Sequence, residues 1–472
     1  MNTNRKRNSQ QVSTAALSRR DFIRMAGVAA VATGLSRGIP ALAAPQGKPN
    51  FIFVMTDDHG CGLTGYNGHS ILKTPCLDDM AANSLRFDRF HSTYAICSPT
   101  RASILTGRHP CRYGVVHAST QFGSHWLNQQ ELTLARVMKA SGYTTGHFGK
   151  WHVSPVNIKS GPGEYGFDEW FSTENNRSTH DPSVYFTKSG KAEVETADDS
   201  CKVIMDRALD FSKKAAAAHT PFLALVWLHT PHWPIRTPER FQKLYADQPP
   251  KLQEYFGDLS AMDEQVGRLR QELKKMGAAE NTLLWFCGDN GEDGSRPGSK
   301  TTLRGSKATI YEGGTRVPGL LEWPGVIAKG RSTSMPCSTL DFYPTLLDII
   351  EAKPTKQPEP LDGISLLPLV EGRAVNRPKP IPFALIRSDE WRKTKNHIFD
   401  YALLDGDIKF YSSLQDGDEK NDLLFDLSVN PTEIMNQNLV SEKKEAALKM
   451  KTELKAWRAS VDNSLAGKDY SG

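Results

Sequence analysis

At 472 residues the chain exceeds what one ordinary hydrophobic core supports and has room for a large α/β domain plus a smaller one. Its hydrophobic fraction of 39% and charged fraction of 24% are those of a soluble globular protein, and its net charge of +5 is concentrated at one end. Residues 1–43 hold seven Lys/Arg and one acid; beyond them 51 basic residues face 52 acidic ones, which excludes a general nucleic-acid-binding surface and makes any anion recognition local.

Seven cysteines (an odd number) with no C-x-x-C argue against a zinc knuckle or a dithiol redox motif and leave pairing open. Ser18-Arg19-Arg20-Asp21-Phe22-Ile23, the apolar run from Met25 to Leu35 and Ala41-Leu42-Ala43 resemble a twin-arginine export signal over residues 1–43. The resemblance implies the twin-arginine translocase as a partner and a periplasmic or secreted location. The run is too short and too rich in Gly and Ala for a stable membrane span.

Asn50 to Met55 is a short apolar run that stops at Thr56-Asp57-Asp58-His59-Gly60, a buried strand running into a polar turn. Adjacent carboxylates at a strand's C-terminal end are costly unless a cation answers them, and open α/β sheets bind ligands at that edge. Taken alone, the pair reads as a solvated turn capping a helix. Leu77, Met80, Ala81, Ser84 and Leu85 mark a helix.

The stretch from Cys97 to Arg108 follows. Pro99 fits a first helical turn and Ser98 can cap it, so Cys97 stands where free N–H groups and a positive dipole end face an anion. Arg101 lies one turn on, along the same face, and can reach that anion. A lone cysteine is usually a small buried hydrophobe; its neighbours make this one a candidate nucleophile.

A helix over Leu134, Val137 and Met138 ends at Gly142, and a short strand delivers Lys150 and His152 to the same sheet edge, with His147 turned away by alternation. Residues 153–200 read as an irregular insertion over the rim, of the kind that sets substrate choice. Cys201 to Phe211 has helical spacing, and Phe222 to Leu228 is a buried strand with His229 at its end. Tyr255 to Met276 forms a long amphipathic helix. The strand from Thr282 to Cys287 then ends at Gly288-Asp289-Asn290-Gly291. After a helix from Phe342 to Ile350, the Pro-rich stretch 353–382 reads as a link between domains. Beyond it lie short strands with an Asp405-Gly406 hairpin turn, and a closing helix from about Glu442 to Trp457.

Cys97-Ser98-Pro99-Thr100-Arg101 through Leu105-Thr106-Gly107 matches the sulfatase signature C-x-P-[ST]-R-x-x-x-L-T-G at every defined position. The chain thus resembles the type I, formylglycine-dependent sulfatases of the alkaline phosphatase superfamily, of the exported arylsulfatase or N-acetylgalactosamine-sulfatase type. Gly142 to His152 resembles the family's second signature, with a single residue between Lys150 and His152. His229-Thr230-Pro231-His232 resembles the distal histidine segment, and Gly305-Ser306-Lys307 with Glu312 to Pro318 the G-x-K…E-G-G-x-R-V-P segment. Phe425 to Glu433 resembles the C-terminal subdomain.

The resemblance implies an α/β fold: a large mixed, mostly parallel sheet flanked by helices over 48–375, and a smaller antiparallel α+β subdomain over 376–472. It also implies that a maturation enzyme converts Cys97 to formylglycine, whose hydrate attacks sulfur. Lys150 would bridge hydrate and sulfate, and His152 would act as the base that releases sulfate. His229 would hold the bridging oxygen, and Lys307 would be a second cation and proton donor. Asp57, Asp58, Asp289 and Asn290, with modified Cys97, would hold a metal, and so hard a set of oxygens favours Ca2+ ahead of Mg2+. Only the resemblance joins these separated pairs. Glu312 and Arg316 would brace their loop, while His232 is either packing or a substrate contact.

The expected substrate is a sulfated carbohydrate built of galactose or N-acetylgalactosamine. Trp126, Trp151, Trp170 and Trp233 are either sugar platforms or packing. Alternatives are a phosphate or phosphonate monoester hydrolase, and a non-catalytic sulfated-glycan binder in which Cys97 stays a thiol.

Overall fold

The computed structural model describes residues 47–470 apart from 119–123, 158–159, 176–182, 198, 296–297, 299–301, 374, 387–400 and 415–420. The export signal read over 1–43 lies outside the described residues. Among those residues, no helix is long and apolar enough to cross a membrane.

The strands follow in chain order. First come β1 (Asn50–Thr56), β2 (Leu85–Phe87), β3 (Phe90–His91), β4 (Thr144–Lys150), β5 (Glu169–Thr173), β6 (Ser183–Thr187), β7 (Gly190–Val194), β8 (Phe222–Trp227) and β9 (Thr282–Gly288). Then come β10 (Arg316–Val317), β11 (Gly319–Glu322), β12 (Arg331–Thr333), β13 (Cys337–Ser338), β14 (Ile381–Ala384), β15 (Tyr401–Asp405), β16 (Ile408–Ser412) and β17 (Leu423–Asp426). Ten of them form one sheet in the order β12-β2-β11-β9-β1-β8-β4-β5-β6-β7. Its central run, β9-β1-β8-β4-β5, is parallel, so these strands end at one edge.

The reason is in the sequence. FIFVM (Phe51 to Met55) and FLALVW are apolar throughout, which suits strands buried on both faces. Phe51, Phe53, Met55, Leu223, Leu225 and Trp227 point to one face, where they meet the helices Cys97–Thr106, Leu134–Ala140 and Phe342–Ile349. Ile52, Val54, Ala224 and Val226 point to the other, against the helices Pro75–Asn83, Ser200–Ala217 and Pro250–Lys275. The C-terminal part is a four-stranded antiparallel sheet, β14-β15-β16-β17, packed against the helix Lys444–Leu465.

Three expectations are corrected. Residues 153–200 are not simply irregular: they supply β5, β6 and β7 and extend the main sheet. The Pro-rich 353–382 stretch is no bare link, because Ile364, Leu366, Leu367, Leu369 and Val370 are buried in the main core. The helix read through Leu85 stops at Asn83, and Leu85 opens β2.

Candidate active site

Five parallel strands, one helix and the loop that carries Lys307 bring the site together. β1 and β9 pair in register up to Thr56↔Gly288, so the turns leaving them lie side by side. Asp289 N–H donates to Thr56 O at 3.0 Å, and Asp58 N–H donates to Asp289 Oδ1 at 3.0 Å. Asp58 has φ 56, a left-handed conformation in which Asp is tolerated. β4 ends at Lys150, which donates to Asp57 Oδ2.

Gly149 at φ +103 permits this ending. A Cβ there would sit 1.9 Å from the Trp227 carbonyl oxygen of β8. Gly149→Ala is therefore expected to lose about 3 kcal/mol or more through forced φ and steric overlap. Denaturant unfolding with activity measured alongside checks this, and a near-neutral variant would show that β4 can shift freely.

Cys97 begins the helix Cys97–Thr106 and is 2% exposed. The cap is Ile96 in extended conformation, with no side-chain cap bond, so the expectation for Ser98 is corrected. Pro99 places Ser98 inside the first turn, and its hydroxyl donates to His152 O at 2.5 Å. His152, at φ 57, turns its Nδ1 to 3.4 Å from Cys97 Sγ.

Arg101 is wholly buried and already engaged: Nη2 and Nε donate to Asp289 Oδ2 at 2.7 and 3.2 Å, and Nη1 to Lys150 O at 2.9 Å. Here it braces the acidic turn rather than facing open space. Lys307 Nζ lies 2.6 Å from Asp58 Oδ1. His229 Nε2 meets Thr173 Oγ1 at 2.8 Å, and its Nδ1 has no partner among the described residues.

Burial opposes charge at Asp57, yet Lys150, His232, Arg101 and Lys307 hold its carboxyl well below the usual range. Asp289 is pushed up to about 7 by burial and by Asp57. Burial, then Lys150, keeps His229 near 3, so the imidazole is neutral. The same two causes hold His152 well below its ordinary value. Burial opposes the charge on Lys307, but Asp58 outweighs it and raises the ammonium's pKa.

The donor set fits a hard divalent cation. Donor atoms of Asp57, Cys97 and Asp289 all lie within 4.8 Å of one another, as do those of Asp57, Asp58 and His232. Asn290 Nδ2 donates to Asp58 Oδ1 at 2.8 Å and to Gly291 O, which leaves its buried Oδ1 without a partner among the described residues. Three carboxylates plus an orphaned amide oxygen are what an oxygen-seeking ion requires.

One residue at this site carries no signal in the sequence, and a second has a role that the sequence leaves open. Thr173, which engages His229, stands at the end of a strand that was read as loop. His232, left open between packing and substrate contact, has Nε2 3.7 Å from Asp58 Oδ2 and a side chain 27% exposed. Of the tryptophans, Trp151 is fully buried against His147 and Trp227, and Trp170 lies at the start of β5, the end remote from the site. Trp233, beside His232, is 53% exposed.

The sulfatase family matches residues 49–352, and the family described as N-sulphoglucosamine sulphohydrolase, C-terminal, matches residues 306–460. The chain is 30% identical to mouse (Mus musculus) N-acetylgalactosamine-6-sulfatase over 377 residues, 72% of this chain and 70% of that protein. It is 30% identical to the ulvan-active sulfatase of Formosa agariphila over 345 residues, 69% of this chain and 65% of that protein. The solved structure of Ps i-CgsB in complex with k-i-k-neocarrahexaose is similar with a TM-score of 0.77 at 24% identity, covering 87% of this chain and 93% of that one.

Proposed function

The chain belongs to the sulfatase family and is a sulfuric ester hydrolase, and from that premise we propose that it desulfates a carbohydrate, using formylglycine formed from Cys97 and Ca2+ held by Asp57, Asp58, Asp289 and Asn290. The observation that carries the reading is the meeting of the Cys97 sulfur with donor atoms of Asp57 and Asp289 within 4.8 Å, ringed by Lys150, Lys307 and Arg101. The twin-arginine resemblance of residues 1–43 supports export to the periplasm or beyond.

In hydrated form residue 97 would supply the nucleophilic oxygen, and a divalent cation held by Asp57, Asp58, Asp289 and Asn290 would supply Lewis-acid polarisation and charge neutralisation there. The remaining work falls to side chains. Lys150, which is buried, and Lys307, which is partly buried, answer the charge on the sulfate oxygens. Arg101 holds Asp289 and the Lys150 backbone in place. Attack on sulfur breaks its bond to the ester oxygen. His229, neutral, donates a hydrogen bond to that oxygen through Nδ1–H, since Nε2 is engaged by Thr173. Lys307 supplies the proton with which the alcohol departs. His152, neutral and beside residue 97, takes a proton from that residue's second hydroxyl as inorganic sulfate is released.

A carbohydrate substrate is supported by what the relatives' names specify, N-acetylgalactosamine-6-sulfate in one case and ulvan in another. Trp233 offers an exposed aromatic face next to His232. A screen over defined sulfated saccharides, with an aryl sulfate and an aryl phosphate beside them, tests the reading. Sulfate release from saccharides is expected, and Trp233→Ala should raise KM for a saccharide about tenfold while leaving aryl sulfate turnover unchanged. A strong preference for the phosphate ester would replace this function with phosphoester hydrolysis.

A further inference from the structure

Behind the site lies a second cluster of charge, drawn from the C-terminal sheet, the loop after it, the Glu312 turn and the short strands β3 and β10. The helical turn Glu312–Thr315 is wedged between the Asp289-Asn290 turn and the Lys307 loop with no space to spare. Gly291 N–H donates to Gly314 O at 2.9 Å, and a Cβ on Gly291 would lie 2.0 Å from Gly313 O. On the other flank, Gly313 N–H donates to Arg304 O at 2.7 Å, and a Cβ on Gly314 would meet Thr309 O at 2.0 Å. Lys307 N–H donates to Glu292 O at 2.8 Å, which closes the unit. A shift of this turn must therefore carry Lys307 with it.

The C-terminal part holds the turn from behind. Lys409 Nζ of β16 donates to Glu312 Oε1 at 2.7 Å, and the same carboxylate faces His91 Nε2 at 3.1 Å and Arg316 Nε at 3.1 Å. Glu433, in the loop after β17, accepts from Glu312 N–H at 2.9 Å through Oε2 and from the Tyr411 hydroxyl through Oε1. Its carbonyl takes Arg304 Nη1 at 3.4 Å. Lys409, Glu433 and Glu312 are all fully buried, where apolar residues would pack at lower desolvation cost. Charges retained in such a place are weak evidence of added cohesion, and fixing a single arrangement is the best-attested use of them.

We infer that Lys409 and Glu433 are positioning residues that set the place of Lys307 through the Glu312 turn, making the C-terminal sheet a working part of the active site. The inference rests on the role proposed for Lys307. Small displacements of a catalytic group are costly, so Lys409→Met is expected to lower kcat on an aryl sulfate about 10- to 100-fold.

A double-mutant cycle separates positioning from plain stabilisation. In a Lys307→Ala background the added loss from Lys409→Met should shrink to less than about threefold, with thermal unfolding followed in parallel. Should Lys409→Met not fold, Glu312→Gln/Lys409→Met removes both charges together and enters the same cycle. Glutamine at 433 keeps an oxygen for Glu312 N–H, so Glu433→Gln should recover most of the activity lost in Glu433→Ala. Additive losses in the cycle would overturn the inference and leave the role of Lys307 standing. A Lys307→Ala enzyme as active as the parent would overturn both.

Discussion

Cys97→Ala abolishes sulfate release, with kcat/KM expected to fall about 10^4-fold or more because the attacking group is lost. The loss is not one of folding. Cys97 is a small side chain in a packed helix start, and truncating it leaves a cavity of one atom, costing about 1–2 kcal/mol. Circular dichroism and thermal unfolding should therefore show a native variant. Mass spectrometry of the peptide containing residue 97 from the native host should show conversion of the thiol to the aldehyde. A purely thiol form with full activity, or wild-type turnover by Cys97→Ala, would sink the proposed chemistry.

Stripping divalent ions with a chelator should lower activity on the order of 10^3-fold, since a metal at such a site contributes several kcal/mol of charge stabilisation. The metal-free chain should stay folded. Asp57, Asp58 and Asp289 retain Lys150, Lys307 and Arg101 as counter-charges, so no carboxylate cluster is left bare. Returning Ca2+ should restore turnover and raise the unfolding temperature, by about 2.7 kcal/mol of stability at a hundredfold excess over Kd. Full activity in protein shown free of metal by elemental analysis would remove the ion from the mechanism. Recovery with Mg2+ alone would reverse the preference for Ca2+.

Much of the architecture was legible because the buried parallel strands are written as unbroken apolar runs. FIFVM and FLALVW can hardly be anything else, and each gives way within two residues to a polar side chain, Thr56 and His229, that marks the sheet edge. The hairpin of β6 and β7 was less legible. β6 alternates buried with half-buried residues and β7 half-buried with exposed ones, in a segment rich in turn formers where Ser189-Gly190 marks the reversal. Thr173 was lost along with that segment.

The meeting of Asp57 and Asp58 with Asp289 and Asn290 belongs to a different class. It depends on β1 pairing with β9 across more than two hundred residues, and nothing local to either run specifies the partner. The family resemblance, not periodicity, joined them. Lys409 and Glu433 were equally hidden, since a lysine in a short strand reads as a solvated face until burial is known.

The near-complete enclosure of the Cys97 sulfur has a consequence for the order of events in the cell. With the helix start pressed under the His152 backbone, no other protein's catalytic apparatus can grip this side chain once folding is finished. Any oxidation of the thiol must reach it while the segment is still an open peptide. If Cys97 is converted as proposed and the twin-arginine route, which moves finished globules, carries this chain, then that conversion is completed on the inner side of the membrane, before departure.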